Sequence, residues 1–251
     1  MAVNTKVKLS GLTLDNPVIP ASGTYGFGKE YVDFYDINIL GSISIKGTTV
    51  QRRKGNPQPR IAECYSGLIN SVGLENPGME NVIQKELKDL EKIYRKPVIA
   101  NISGFSVEEY VTLAREMDKV DNVGIIEVNI SCPNVDHGGL AFGTNADNVR
   151  ELTKKIKEVT TKPIYMKLSP NVTDIKEIAR AAEEGGADGI SLINTLMGMR
   201  IDINRRKPVI ANKKGGFSGP AIFPVALRMV YEVYEATNLP IIGIGGISSA
   251  E

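Results

Sequence analysis

The stretch P-V-I-A-N-I-S-G-F-S-V-E-E-Y-V-T-L-A-R-E-M-D-K-V-D-N-V-G-I-I-E-V-N-I-S, residues 97–131, predicts the type of fold. It begins and ends with β-branched runs, residues 97–102 and 124–131, that are almost continuously apolar, as strands buried on both faces of a parallel sheet are. Between these runs, Ser106 and Glu109 have the spacing of a capping box at the start of a helix. The stretch therefore predicts a strand, a helix and a second strand.

The same alternation continues along the chain. Runs rich in β-branched residues predict further strands, and the amphipathic stretches between them predict helices. Because no linker or shift in composition interrupts this pattern, we expect a single α/β domain over residues 1–251, a length that suits a (β/α)8 TIM barrel. The other predicted strands are residues 17–22, 42–46, 163–169, 189–195 and 240–247, and the predicted helices are residues 79–94, 107–117, 145–160, 173–184 and 221–236.

The last residues of the sequence predict one more helix. Ser248 and Glu251 have capping-box spacing, although the sequence ends at Glu251. A (β/α)8 barrel needs that helix, an eighth strand and usually an eighth helix. We therefore expect a barrel that lacks about its last helix–strand–helix, with an open seam beside the seventh strand. A complete seven-stranded or open-sheet fold is the alternative.

The composition is that of an ordinary globular protein. Hydrophobic residues make up 42% of the chain, charged residues 24%, and the net charge of +1 lacks the basic excess of a nucleic-acid-binding protein. The sequence shows neither a signal peptide nor a run of about 18 apolar residues, so we expect a cytoplasmic protein without a membrane span. Two cysteines, Cys64 and Cys132, predict reduced thiols rather than a disulfide framework.

Polar residues gather where the predicted strands end, which is where barrel enzymes carry their chemistry. Several converging amides could bind the N–H and C=O edges of a planar imide such as a pyrimidine, although a single asparagine is more often a turn former. The strand-end residues are Ser22, Lys46, Asn101, Asn129, Lys167 and Asn194, and the candidate amides are Asn70, Asn129, Asn134 and Asn194.

Two glycine clusters and a lysine allow more than one interpretation. The glycines of G-I-G-G-I, residues 243–247, and of G-G-F-S-G-P, residues 215–220, could present backbone N–H groups to a phosphate, or could simply turn the chain. Lys167 could stabilise negative charge on a reduced cofactor, form a Schiff base as in aldolase barrels, or be a solvated strand-end lysine.

Cys132 is the candidate base. It lies in E-V-N-I-S-C-P-N, residues 127–134, at the end of a strand, and a thiol with favourable neighbours can act as a base near neutral pH. His137 is the one histidine of the sequence, which disfavours a Ser-His-Asp triad and a histidine metal site. The glycine-rich stretch after the cysteine is typical of a lid. The alternative is a small, buried cysteine of the core.

Taken together, several segments resemble the class 1 dihydroorotate dehydrogenases, which bind FMN on a (β/α)8 barrel. The resemblance extends from about Val18 to the last residue, and the motifs occur in order at predicted strand ends. The segments are N-I-S-C-P-N (129–134), K-G-T-T-V-Q-R-R-K-G-N-P-Q-P-R (46–60), L-I-N-S-V-G-L-E-N-P-G (68–78), Y-M-K-L-S-P (165–170) and G-G-F-S-G-P (215–220).

The resemblance implies an activity and a set of site residues. Cys132 would take a proton from C5 of dihydroorotate while a hydride leaves C6 for N5 of FMN, which yields orotate in de novo pyrimidine biosynthesis. Lys167 would stabilise the anionic reduced flavin. The substrate contacts would be Lys46, Asn70, Gly73, Leu74, Asn129, Asn134, Asn194 and Thr195, and the FMN contacts Ala21, Ser22, Gly23, Lys46, Asn101, Asn129, Lys167, Ile193, Gly219, Gly245 and Gly246.

The segment G-G-L-A-F-G-T, residues 138–144, is similar to the subclass 1B pattern. This likeness implies a homodimer of catalytic subunits within a heterotetramer, whose second type of subunit carries FAD and a [2Fe–2S] cluster and passes electrons to NAD. The alternatives are a subclass 1A enzyme that uses fumarate, a barrel aldolase or lyase that uses Lys167, and an inactive interaction subunit.

Overall fold

The computed structural model describes residues 3–131 and 142–250. The strands are β1 (Val7–Leu9), β2 (Leu12–Leu14), β3 (Ile61–Cys64), β4 (Gly67–Asn70), β5 (Val98–Ile102), β6 (Val123–Asn129), β7 (Ile164–Lys167), β8 (Gly189–Leu192), β9 (Leu196–Met199), β10 (Ile201–Asp202), β11 (Lys207–Pro208), β12 (Lys214–Ser218) and β13 (Ile241–Gly243). The helices are α1 (Met79–Asn81), α2 (Leu87–Ile93), α3 (Val107–Asp118), α4 (Ala146–Lys157), α5 (Ile175–Glu184) and α6 (Phe223–Ala236), with a π-helical turn, Val82–Glu86, between α1 and α2.

A parallel sheet forms the centre of the fold. Its strands lie in the order β13–β8–β7–β6–β5, so each strand lies beside the one that precedes it in this sheet, although β9 to β12 intervene between β8 and β13 in the chain. Helices connect them, as parallel pairing requires. These five strands and the helices between them confirm the predicted α/β alternation from residue 97 onwards.

The two N-terminal strand predictions have different outcomes. Residues 42–46 reach the free edge of β5, where Ser44 forms a parallel bridge with Ile99, but they are too briefly paired to count as a strand. Residues 17–22 have no strand structure, so that prediction is wrong. Pro17 and Pro20 lack the N–H groups that a strand in this position would have to donate.

The two faces of the parallel sheet bury different groups, because successive strand residues point to opposite sides. One face packs against the helices in the main hydrophobic core, where Ile126 and Ile164 meet Leu152 of α4. The other face carries apolar residues at the beginning of the strands and polar residues, such as Glu127 and Lys167, towards their ends.

An N-terminal hairpin covers the apolar end of this second face. Strands β1 and β2 pair antiparallel, and Leu9 and Leu14 pack against Ile99, Ile125 and Tyr165 in a separate hydrophobic cluster. The hairpin thereby keeps water from the beginning of the strands, while the polar ends of the strands remain available to a ligand.

A second, antiparallel sheet was not predicted from the sequence. Its strands lie in the order β3–β4–β12–β9 and come from segments far apart in the chain. In the register of β4 and β12, Asn70 is opposite Gly216, and β12 also pairs with β9, which directly follows Thr195. The sheet therefore carries Asn70 to the strand ends of the parallel sheet.

The predicted helices are confirmed to within a few residues. At the start of α3 the Ser106 hydroxyl accepts a hydrogen bond from the Glu109 amide at 3.3 Å, while the Glu109 carboxylate accepts one from the Phe105 amide at 2.7 Å. The capping box that begins at Ser248 extends to Glu251, which lies outside the described residues. Over residues 3–131 and 142–250, no helix is both long enough and apolar enough to cross a membrane.

Candidate active site

A buried ion pair lies at the centre of the polar strand ends. Lys167, the last residue of β7, places Nζ 3.5 Å from Oε2 of Glu127 on β6 and 3.2 Å from the Ser22 hydroxyl. Both charged side chains are at most 6% exposed. A buried lysine without a partner would be costly, so Glu127 supplies the compensation that this position requires.

Glu127 is held as a carboxylate by its surroundings. Complete burial would raise its pKa, but the positive charge of Lys167 and hydrogen bonds from Asn101 and Ser44 outweigh that effect, so its pKa lies below the ordinary value. Asn101 Nδ2 donates at 2.5 Å and the Ser44 hydroxyl at 3.2 Å, both to Oε2. An ion pair of this kind suits a lysine that keeps its charge better than one that must lose a proton to form a Schiff base.

A chain of amides extends from the ion pair towards the rim of the sheet. Asn129 Nδ2 donates to the Ser103 hydroxyl at 3.1 Å, and its Oδ1 accepts from Asn194 Nδ2 at 3.1 Å. The side-chain Oδ1 of Asn194 accepts from the Thr195 backbone amide at 2.8 Å. Two of the predicted amides are thus in direct contact, although they are 65 residues apart in the chain.

The antiparallel sheet contributes the next group of predicted residues. Asn70 Nδ2 donates to the Gly216 carbonyl at 3.3 Å. A Cβ atom at Gly216 would lie 2.0 Å from the Thr195 hydroxyl oxygen, so the absence of a side chain lets β12 lie directly against Thr195. Gly73 and Leu74 follow β4 with φ angles of 77° and 55°.

Lys46 lies in the same region as Asn101 and Leu74, as the contacts of the next residue, Gly47, show. A Cβ atom at Gly47 would lie 2.8 Å from Asn101 Oδ1 and 3.6 Å from Leu74 Cδ2, so the chain beside Lys46 passes between these two side chains. Burial lowers the pKa of Lys46, while Glu75 opposes this shift and Arg60 adds to it. A partly desolvated ammonium group at this position can bind an anion.

The glycines of the two clusters meet at the start of α6. A Cβ atom at Gly246 would lie 2.8 Å from the Gly219 carbonyl oxygen and 3.0 Å from the Phe223 amide nitrogen, the first residue of α6. Gly219, Gly245 and Gly246 have φ angles of 115°, 131° and 71°, which side chains rarely allow. A 3-10 turn, Pro220–Ile222, leads directly into α6, and the Phe223 amide donates to the Pro220 carbonyl oxygen. No side chain among the described residues caps α6, and the positive end of its dipole lies beside the glycine cradle, which suits a phosphate group.

The residues present fit FMN at three points. The cradle accommodates a phosphate, and Lys167 supplies a positive charge. Asn101 Oδ1 is fully buried without a hydrogen-bond partner among the described residues, as a group meant for a ligand N–H would be. Ala21 lines a small cavity with Glu127 and Lys167, Ser22 contacts Lys167, and Ile193 lies 3.5 Å from the position of a Cβ atom at Gly245.

Most of the predicted site residues thus meet at one end of the parallel sheet. Gly23 follows Ser22 in a turn and has open space above it. Cys132 and Asn134 lie outside the described residues. Glu127 was missed from the sequence, although a charged residue inside an apolar strand, two positions before Asn129 and therefore on the same face, is a usable signal.

Comparisons with known proteins give the family of the chain. The family model described as "Dihydroorotate dehydrogenase" matches residues 4–251. The chain belongs to the dihydroorotate dehydrogenase family. Proteins from Bacillus cytotoxicus, Bacillus cereus and Bacillus anthracis, each described as "Dihydroorotate dehydrogenase B (NAD(+)), catalytic subunit", are 57% identical to this family member over 246 residues, which covers 98% of the chain and 79% of each relative. The resemblance to the subclass 1B catalytic subunit is therefore confirmed.

Proposed function

We propose that this protein oxidises dihydroorotate to orotate with FMN as its bound cofactor, a step of de novo pyrimidine biosynthesis. The observation that carries the proposal is the convergence of the Lys167 ion pair, the Asn129–Asn194 amide contact and the glycine cradle at one end of the sheet. A cation, paired amides and a phosphate site suit a planar, hydrogen-bonding substrate beside a phosphorylated cofactor.

Residues on both sides of the Lys167 ion pair would hold FMN. When bound, FMN would supply the acceptor for the hydride from the substrate. The cradle and the start of α6 would bind its phosphate. Lys167 would place a positive charge beside the ring system, and Asn101 Oδ1 would accept a ring N–H. The proposed FMN contacts are Ala21, Ser22, Gly23, Lys46, Asn101, Asn129, Lys167, Ile193, Gly219, Gly245 and Gly246.

The substrate would lie on the side of the antiparallel sheet. Amide side chains can donate to the C=O groups and accept from the N–H groups of dihydroorotate, and the Lys46 ammonium group can bind its carboxylate. The proposed substrate contacts are Lys46, Asn70, Gly73, Leu74, Asn129, Asn134, Asn194 and Thr195. The close approach of Gly216 to the Thr195 side chain supports this placement, because it holds the antiparallel sheet against the strand ends.

Cys132 would act as the base that removes the proton from C5 of dihydroorotate. The residue before it is well anchored, which supports this role. The Ser131 amide donates to Asn129 Oδ1 at 3.2 Å, and its hydroxyl donates to the Lys167 carbonyl oxygen at 3.2 Å. Ser131 is therefore fixed at the strand ends, beside the proposed substrate.

We further propose a cytoplasmic assembly of several subunits. The relatives are described as catalytic subunits of an NAD(+) enzyme, a description that implies a second type of subunit. We expect a homodimer of catalytic subunits that joins partner subunits carrying FAD and a [2Fe–2S] cluster, so that electrons reach NAD. We also propose that residues 1–251 belong to a single (β/α)8-barrel domain, a proposal supported by a cavity that residues 19–21 line together with Ile242 and Ile244.

The test is an anaerobic absorption spectrum of the purified, FMN-loaded protein before and after the addition of dihydroorotate. We expect flavin bands that bleach on addition. Cys132→Ala should bleach at least about 10²-fold more slowly, because a positioned base contributes that much. Cys64→Ala, in β3, is the matched control and should keep the wild-type rate. Wild-type rates for Cys132→Ala would exclude Cys132 as the base, and a wild-type spectrum unchanged by dihydroorotate would contradict the proposed substrate.

A further inference from the structure

The Glu127 carboxylate is the common acceptor of the buried cluster. Its Oε2 atom accepts hydrogen bonds from Asn101 and Ser44 and lies 3.5 Å from Lys167 Nζ. Glu127 itself is 2% exposed and lines the cavity between the strand ends, together with Lys167. It has no role among the residues that the family resemblance assigns to FMN or substrate.

The chemistry of a carboxylate determines how its neighbours are oriented. An ionised carboxylate only accepts hydrogen bonds, so the Asn101 side chain must turn its NH₂ group towards Glu127. Its carbonyl oxygen then points away and is left buried without a partner in the described part of the chain. A lone buried acceptor is costly unless a ligand N–H completes it.

The same carboxylate also orients and compensates Lys167. The ammonium group has three N–H donors, of which Ser22 and Glu127 engage two. No third acceptor contacts the ammonium group within residues 3–131 and 142–250, which leaves one N–H for a ligand. The negative charge at 3.5 Å also offsets part of the positive charge that a bound cofactor would experience.

We propose that Glu127 is a positioning residue that sets the hydrogen-bonding pattern and the net charge of the FMN site. It fixes Asn101 as an acceptor and Lys167 as a donor, and it moderates the charge of Lys167 beside the flavin. This inference rests on the proposed function, because it requires that FMN binds here.

Two variants separate the geometric effect from the charge effect. Glu127→Gln removes the charge and lets the new amide donate as well as accept, so Asn101 is no longer forced into one orientation. Glu127→Asp keeps the charge but shortens the side chain by one methylene group, which draws the carboxylate away from Asn101. We expect Glu127→Gln to alter both the FMN affinity and the flavin potential, and Glu127→Asp to alter mainly the FMN affinity.

The experiment uses the wild-type protein and both variants, stripped of flavin. FMN fluorescence quenching gives the dissociation constant, and equilibration with redox dyes gives the potential of the bound flavin. For Glu127→Gln we expect at least a tenfold higher dissociation constant and a more positive potential, by about 30 mV for a tenfold change in a two-electron equilibrium. For Glu127→Asp we expect a higher dissociation constant at a nearly unchanged potential.

The possible outcomes distinguish the two proposals. A Glu127→Gln protein that melts at a lower temperature but keeps the wild-type dissociation constant and potential would overturn the positioning role. If that variant does not fold, Glu127→Asp decides, because wild-type FMN affinity in it would overturn the role equally. A wild-type protein that binds no FMN would contradict the proposed function itself.

Discussion

At the scale of single residues, Gly246 shows how position changes the meaning of a motif. The run G-I-G-G-I is compatible with both a phosphate site and a simple turn. In the fold, a Cβ atom at Gly246 would lie 2.8 Å from the Gly219 carbonyl oxygen and 3.0 Å from the first amide of α6. The missing side chain therefore lets Gly246 pack directly against Gly219 and the start of α6, which brings both glycine clusters to a helix N-terminus and favours the phosphate interpretation.

The substitution Gly246→Ala tests this interpretation. We expect at least a tenfold loss of FMN affinity, measured by fluorescence quenching, because the methyl group would collide with the backbone of Gly219 and Phe223 and displace the segments that form the cradle. Gly11→Ala is the matched control, since Gly11 also has a positive φ, 91°, but no atom lies within 4 Å of the position of its Cβ. Both variants should lose about 1 kcal/mol of stability or more to backbone strain, and Gly246→Ala should lose more than Gly11→Ala because its methyl group also meets backbone atoms. Equal FMN affinity in the two variants would contradict a phosphate site at Gly246.

At the scale of elements, the sequence predicts the helix α3 well. It does not reveal how α3 contributes to the site. Its cap and amphipathic pattern are local, so they can be read without the fold. The hydroxyl of Tyr110 in α3 donates to the Asn129 carbonyl oxygen at 2.7 Å, which ties the helix to the end of β6. This contact depends on how the helix packs against the sheet.

The substitution Ser106→Ala should weaken α3 through its N-terminus. Without the hydroxyl, the Glu109 amide loses its acceptor, and we expect a decrease of about 1 kcal/mol in the free energy of unfolding, measured by urea denaturation. The control is Arg115→Ala, an exposed position in the same helix, which should change stability by less than about 0.5 kcal/mol. A Ser106→Ala protein as stable as the control would show that the cap contributes nothing.

At the scale of the whole molecule, the proposed FMN site joins parts of the chain that are far apart. Ser22, Asn101, Lys167 and Gly246 come from an irregular N-terminal segment, two strands and the end of the parallel sheet. A ligand that binds all of them holds the folded arrangement together and has no comparable site in the unfolded chain. FMN should therefore stabilise the protein as a whole.

Thermal unfolding measures this stabilisation. With FMN at 100 times its dissociation constant, we expect about 2.7 kcal/mol of added stability and a melting temperature that rises with FMN concentration. Riboflavin at the same concentration should stabilise the protein less, because it lacks the phosphate that the glycine cradle would bind. Equal effects of riboflavin and FMN would argue against a phosphate contact, and no effect of FMN would argue against the cofactor.

Predictions from the sequence failed where pairing between distant segments decides the structure. The antiparallel sheet combines β4 with β12, whose paired residues are about 146 positions apart, as in the bond from Asn70 to Gly216. Residues 17–22 contain an apolar run like that of the true strands, but their prolines and their position outside the sheet leave them irregular. The prolines are visible in the sequence and could have argued against a strand, whereas pairing between distant segments cannot be read from local composition.

The amino-acid order alone was sufficient for the alternation of strands and helices, the start of α3 and the candidate residues at the strand ends, because these depend on patterns within a few neighbouring residues. Only the tertiary structure revealed the role of Glu127. Its contacts with Asn101 and Lys167 span 26 and 40 residues, and they form because β5, β6 and β7 lie side by side. A buried charge can be located in a sequence, but its partner is determined by which strands become neighbours.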